Sequence, residues 1–185
     1  MQEITAMVAK LMAASARTAP KAGGKDFLEI VVIANDADLK KIAARMQEYA
    51  PESTNEAFWK RDAANIANSH QALVLVGLSK PVTAGYDCGG CGYPTCAEFS
   101  KNRQLTDKAM GYSGPHCIMR MMDIGVALSS AAKTASLHNV DNRVQQRVGA
   151  AARDLGYIQA EVAMGIPLSI TGKSIFFDRP ATAKA

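Results

Sequence analysis

Four cysteines are the residues best suited to chemistry in this chain: Cys88, Cys91 and Cys96 in one short loop, and Cys117 after twenty intervening residues. Thiolates at C-x2-C-x4-C spacing, with a more distant fourth, can converge on one metal centre because each short gap lets the backbone curl around it. Gly89, Gly90 and Gly92 lack Cβ atoms, so the loop can take left-handed dihedrals and turn N–H groups toward anionic sulfurs. Gly114-Pro115 would bend the chain back before Cys117. The leading reading is one [4Fe-4S] cluster on these four residues. Structural zinc is the main competitor, although four-cysteine zinc sites usually pair two C-x2-4-C knuckles, and here the distal half offers one cysteine with His116 beside it. Two disulfides are disfavoured by the closeness of Cys88 to Cys91 and by the absence of a secretory pattern. His116 reads as a hydrogen-bonded, solvated loop histidine, since four thiolates complete the set without it.

The elements that must position this loop follow from hydrophobic periodicity. Residues 2–16 repeat Ile4, Met7, Val8, Leu11 and Met12 at helical spacing, and Thr18 to Gly24 end the helix. Phe27 to Ala34 (FLEIVVIA) reads as a strand covered on both faces and central to a sheet. Asn35 and Asp36 cap a helix through Leu39, Ile42, Ala43 and Met46, stopped near Pro51. A further helix is expected over 55–69, with Phe58 and Trp59 in core or interface and His70 in a capping or surface contact. Ala72 to Leu78 (ALVLVGL) is a second buried strand, and the cysteine loop begins beyond its carboxyl end. Cys96 is expected to open a helix through Glu98, Phe99 and Leu105.

From Ile118 onward, Met121, Met122, Gly125, Val126, Ser129, Ala132 and Ser136 fall on one helical face of mostly small residues, suited to close approach of a neighbour. His138 and Asn139 form the turn to a helix over 142–155, closed by Gly156 in a left-handed cap. Stretches 160–170 and 174–177 read as one or two strands, with Pro167 favouring an edge or bulge, and 179–185 as a frayed end. Met110, Met119, Met121 and Met122 either form an apolar shell around a cluster or fill irregular core space. Asp87, Glu98 and Asp123 lie near the cysteines and read as solvated carboxylates. No Ser/His/Asp set or paired-carboxylate motif is present.

With 185 residues, the chain is expected to be a single domain over 1–185, carrying 84–117 as a metal-binding segment. Hydrophobic residues at 48% and charged residues at 21% are ordinary for a soluble globular protein. The net charge of +4 is spread along the chain and aromatics are only 6%, which argues against a nucleic-acid surface. The longest apolar runs, 30–34 and 72–78, are far too short to cross a bilayer. Residues 1–16 lack the continuous apolar core of a signal peptide, so no membrane partner and a cytoplasmic location are expected.

The segment Asp87-Cys88-Gly89-Gly90-Cys91-Gly92-Tyr93-Pro94-Thr95-Cys96 resembles the CG-x-CGYPTC loop of small four-cysteine [4Fe-4S] domains in corrinoid iron-sulfur proteins and Rnf-type electron-transport proteins. That resemblance implies cluster ligation by Cys88, Cys91 and Cys96, with Cys117 as the one further thiolate, at a longer gap than in those domains. Taken whole, including Ala16 to Ala22 and Gly114-Pro115-His116-Cys117, the chain resembles the DUF2148 type of ferredoxin-domain protein. Its flanks, Ala16-Arg17-Thr18-Ala19-Pro20 and 151–157 followed by 162–167, are similar to nitroreductase-type flavoproteins. This implies an α+β, nitroreductase-like sheet covered by helices, with the cysteine segment inserted, and a homodimer. It also implies FMN near Arg17, Thr18 and Lys21, with Lys173 as a further cation, although Gly23-Gly24-Lys25-Asp26-Phe27 replaces the usual flavin-binding continuation.

Three functions follow. The first is an iron-sulfur redox protein, exchanging electrons with a partner protein or a small-molecule donor or acceptor, with FMN coupling one- and two-electron chemistry. The second is a non-catalytic interaction module stapled by a cluster or zinc. The third, an iron-sulfur regulator, ranks last because the basic residues do not cluster.

Overall fold

Strand Ala72–Leu78 is buried at every position, and the rest of the fold is arranged to cover it. The computed structural model describes residues 1–67, 71–80 and 82–178. In chain order the helices are α1 (Gln2–Thr18), α2 (Asp36–Tyr49), α3 (Glu56–Ile66), α4 (Cys96–Asn102), α5 (Ile118–Leu137) and α6 (Gln146–Asp154); the strands are β1 (Leu28–Ile33), β2 (Ala72–Leu78), β3 (Asp141–Asn142) and β4 (Val162–Ser169). The sheet order is β1-β2-β4-β3, antiparallel at each pairing, with Leu28 opposite Leu78 and Leu78 opposite Val162.

Because side chains alternate along a strand, β2 serves two cores. Ala72, Val74, Val76 and Leu78 meet Val8, Met12, Ile124, Ala127 and Leu128 of α1 and α5. Leu73 and Leu75 meet Leu39, Ile42, Trp59, Ile66, Val148 and Ala151 of α2, α3 and α6. The result is three layers, helices on both faces of an α+β sheet. Two glycines permit the close approach of α6: a Cβ on Gly149 would stand 2.3 Å from the Ala163 carbonyl oxygen, and one on Gly165 would strike Val148.

Local signals act where expected. Asn35 Oδ1 accepts from the Asp38 N–H at 2.8 Å at the start of α2. Gly156, at φ 79°, closes α6, with the Tyr157 N–H bonded to the Ala152 carbonyl and its own N–H to that of Arg153. Gly165 exchanges both backbone bonds with Gln145, so Pro167, two residues on, turns its missing N–H to the same side, between the Asn142 and Gln145 pairings where the partner strand is interrupted.

Several expectations are corrected. Strand β1 is an edge strand rather than the centre of the sheet, and its middle four residues are only half-buried. Helix α4 stops at Asn102, because Arg103 is extended, and Leu105 is exposed. Helix α6 begins at Gln146 rather than 142, since Asp141 and Asn142 pair with β4. Residues 174–177 form a turn, not a strand. Phe58 is exposed, between the guanidinium groups of Arg61 and Arg147, while Trp59 is buried. His70, the end of the expected 55–69 helix and the frayed 179–185 lie outside the described residues. No helix among the described residues is long and apolar enough to cross a membrane.

Candidate metal centre

The end of the sheet where β1 starts, β2 finishes and β4 starts gathers the chemistry. There the chain leaves β2 and does not rejoin a long element until α5. Cys88, Cys91, Cys96 and Cys117 line one pocket, together with Ala84, Tyr86, Tyr93, Phe99 and Met119. The four thiols are free. They grade from exposed Cys88, through half-buried Cys91 and Cys96, to buried Cys117.

Each sulfur is placed by its local chain. Gly89 and Gly92, at φ 70° and 83°, turn the loop, and the Gly92 N–H bonds the Gly89 carbonyl. Asp87 accepts the Cys96 N–H at 2.6 Å, and Thr95 caps α4 by accepting from the Glu98 N–H. Tyr93 meets Phe99 edge-on at 5.7 Å, seating α4 under the loop. Cys117 is the N-cap of α5 and is buried at the start of that helix. Ile118 joins the halves: its N–H donates to Cys91 Sγ at 3.2 Å, and its side chain packs where a Gly90 Cβ would be.

The two inner thiols are electrostatically unequal. Burial pushes Cys91 up, and the neighbouring Cys117 and Cys88 thiols add to it. Burial also raises Cys117, but N–H groups of Ala84, Arg120 and Met119 and the Cys91 thiol outweigh it, so Cys117 is displaced downward and is the favoured thiolate.

The donor set fits an iron-sulfur cluster in kind: four thiols on one pocket, backbone N–H groups on two of the sulfurs, and left-handed glycines in the loop. The pocket that the four thiols share is small and lined by Ala84, Tyr86, Tyr93, Phe99 and Met119 around them. Among the described residues, no three His, Cys, Asp or Glu converge on one ion-sized point.

Other neighbours differ from the sequence reading. The His116 side chain is only 4% exposed rather than solvated. Its Nε2 donates to the Ser113 carbonyl at 2.8 Å and lies 3.2 Å from Glu161, which also pairs with Arg103. Burial lowers the His116 pKa. Asp123 is likewise buried and not solvated, ion-paired with Arg120 at 2.8 Å. Of the four methionines, Met119 lines the cysteine pocket; Met110 belongs to the α2–α3–α6 core, Met121 lines a neighbouring groove and Met122 is exposed.

The residues expected to hold a flavin phosphate are not assembled into a phosphate site. Arg17 Nη1 is spent on Asp26 at 2.7 Å and the Leu28 carbonyl at 2.9 Å, and Thr18 bonds back to the Ala14 carbonyl. Lys21 turns inward and donates to the carbonyls of Ala16, Arg17 and Ala19 at 2.6–2.9 Å. Lys173 lines a separate groove with Ser136 and Asn139, at the far end of α5. Ala22 contacts Asp123 near the start of α5, which puts the two ends about 20 Å apart at 1.5 Å per helical residue.

Arg120 was missed by sequence reasoning, yet a signal exists. It shares a helical face with Ile124, Ala127 and Ala131, all buried, so it is an arginine in the apolar stripe of α5. Glu161, Arg103 and Arg153 carry no comparable signal, because the chain alone does not show that they meet.

A three-layer fold with helices on both faces of an antiparallel sheet is that of the nitroreductase-like proteins. A nitroreductase with bound FMN from Desulfitobacterium hafniense superposes with a TM-score of 0.58 at 11% identity, over 97% of this chain and 82% of that one. A BluB-like flavoprotein from Clostridium difficile 630 gives a TM-score of 0.48 at 15% identity, over 94% of this chain and 85% of that one. An uncharacterized protein from Archaeoglobus fulgidus is 43% identical over 173 residues, 94% of this chain and 90% of that protein. Residues 113–179 match the model for uncharacterized proteins containing a ferredoxin domain, DUF2148, and the chain belongs to that family. Membership of a ferredoxin-domain family points to a redox-related function.

Proposed function

We propose that this chain is a cytoplasmic one-electron redox protein in which Cys88, Cys91, Cys96 and Cys117 hold one [4Fe-4S] cluster, on a segment, 84–117, inserted into the nitroreductase-like body. The observation that carries the reading is the joint lining of one pocket by all four thiols, two of them already receiving backbone N–H groups. A bound cluster would supply one-electron transfer. Cys117 presents the favoured thiolate from the start of α5, and the left-handed glycines turn the loop that carries the other three sulfurs. Phe99 and Met119 restrict water on the inner side, while exposed Cys88 leaves an edge open to a redox partner protein or a small-molecule donor or acceptor. Arg17 and Thr18 are already engaged, on Asp26 and on the Ala14 carbonyl, so the four-thiol pocket is the better supported cofactor site.

Anaerobic reconstitution with iron and sulfide tests this. About four irons and four acid-labile sulfides per chain are expected, with visible absorption bleached by dithionite and lost in Cys117→Ala. One zinc and no sulfide per chain would support the structural-metal reading instead. FMN titration followed by fluorescence quenching should show no tight binding; micromolar affinity abolished by Arg17→Ala would restore the flavin.

We also propose a homodimer through the outer face of α5. Ile118, Met122, Gly125 and Val126 are all exposed, and Met122, Gly125, Val126 and Ser129 with Pro20 border a groove of about 500 Å³. Nothing lies within 4 Å of where a Gly125 Cβ would be, so the groove is an open hole on the helix with Met122 and Val126 beside it, of the kind that a ridge of a second α5 would fill. The close packing of α5 inside the chain uses the adjacent stripe, Ala127, Ala131 and Ala135, against α1.

A further inference from the structure

The most deeply buried charge of this end of the molecule is not a cysteine. Arg120, 1% exposed, and Asp123, 6% exposed, stand on the first turns of α5, directly after Cys117. Arg120 uses its backbone N–H on the Cys117 sulfur and carbonyl. Its Nη1 reaches Asp123 at 2.8 Å, the Ala22 carbonyl at 3.1 Å and the Lys25 carbonyl at 3.3 Å, and its guanidinium covers the Phe27 ring at 4.7 Å. Asp123 answers by accepting the Ala22 N–H at 2.7 Å. The turn after α1 is thereby locked to the turn of α5 that presents Cys117. Tyr86 of the cysteine loop leans on the same turn, with its hydroxyl 3.3 Å from where a Gly23 Cβ would be.

We infer that Arg120 and Asp123 are positioning residues for the metal centre, and that each of these opposed buried charges offsets the other's pull on its reduction potential. The inference rests on the cluster reading above. Arg120 stands three positions after Cys117, so its charge lies within roughly 10 Å of the sulfur, where a buried charge is little screened by salt. Reduction adds one electron and makes the cluster more negative. An unopposed cation therefore favours the reduced state and an unopposed carboxylate the oxidised one. While the pair is intact the two effects nearly cancel. An arginine does not deprotonate in proteins, so the Arg120 charge is fixed.

The test is a mediated redox titration of reconstituted protein, read by visible absorption and by electron paramagnetic resonance. Asp123→Asn should shift the midpoint positive and Arg120→Gln negative, while the double variant returns close to the parent. Arg120→Lys, which keeps the charge but loses the fork, should hold the parent midpoint, and all shifts should persist at high salt. A merely structural pair would lower cluster yield or melting temperature in every variant without opposite shifts. Shifts of one sign, or none, in variants that carry the cluster would overturn the inference. If either single variant fails to fold, the other with Arg120→Lys still decides the sign. Parent protein that takes up no iron and sulfide would instead remove the cluster reading itself.

Discussion

Replacing Lys21 by methionine isolates what its ammonium does. The side chain is 4% exposed and all three of its donors are used, on the carbonyls of Ala16, Arg17 and Ala19, with Asp26 at 3.5 Å. It is a built-in cap for the carboxyl end of α1, where a cation also meets the helix dipole favourably. Methionine keeps the volume and removes the donors. Charge-assisted hydrogen bonds contribute roughly 1.5–3 kcal/mol each where the partner cannot rehydrate. The Arg17 carbonyl belongs to an exposed residue and can find water, whereas Ala16 is wholly buried and Ala19 nearly so. The expected loss is therefore about 3 kcal/mol, not three full bonds. For a chain of this size that lowers the melting temperature by about 6–12 °C. Calorimetry and urea unfolding of Lys21→Met read it directly, with any flavin affinity measured alongside. A loss below about 1 kcal/mol would refute the reasoning, and so would unchanged stability with abolished FMN binding, since the ammonium would then serve a ligand rather than the helix.

Asp26 should give the protein part of its acid sensitivity. Burial raises its pKa, but the Leu28 N–H and the charges of Arg17 and Lys21 outweigh this and hold it below the usual 3.8. Its contribution is thus complete above pH 3.8 and lost as pH falls through the lower folded value; Asp26→Asn should flatten that part of the stability–pH curve, and an unchanged acid limb would refute it. Gly149→Ala should destabilise by about 1–3 kcal/mol in urea unfolding despite the better helix propensity of alanine, because the new methyl meets the β4 backbone; a gain would show that α6 can withdraw freely. Gly125→Arg should convert a dimer to a monomer in light scattering without lowering the monomer's helical content, and a parent that is already monomeric would remove the proposed interface.

Elements whose burial follows from their own pattern were legible in the sequence. The Asn35 cap, strand β2 and the Gly156 terminus all carry local signals strong enough to fix their places; helix α1 forms as read, but of its five expected apolar positions only Val8 and Met12 are buried with Thr5, Ala9 and Ala16, while Ile4, Met7 and Leu11 are exposed. What misled was tertiary. Leu28–Ile33 is apolar enough for a central strand, but sheet order is decided by which strands find partners, and β4 took the position beside β2. Leu105 continues the apolar spacing after Cys96, yet Arg103 breaks away to reach Glu161 and the Pro115 carbonyl. Of the site, the cysteine spacing and the loop glycines were readable, and the structure brings the four thiols to one pocket. The basic residues near position 20 looked free because no sequence pattern says that a lysine will fold back onto the carbonyls of its own helix.

The stretch from Val82 to His116 is fastened differently from the rest of the molecule. Phe99 and Met110 are its only apolar side chains in the buried class among the described residues. Half-buried Tyr112 packs on the α1–α5 core, and most other attachments are polar: Arg103 and His116 on Glu161, and Arg153 gripping Asp107, Ser113 and the carbonyls of Lys108 and Gly111. The layers around β2 are held by area removed from water, which salt does not weaken, whereas this stretch is held by a few charged clamps. Amide hydrogen exchange should therefore resolve two cooperative units: β2 and β4 exchanging only through global unfolding, and this stretch opening alone and faster as ionic strength rises. The fold thus lets its reactive loop breathe while the sheet that carries it stays closed.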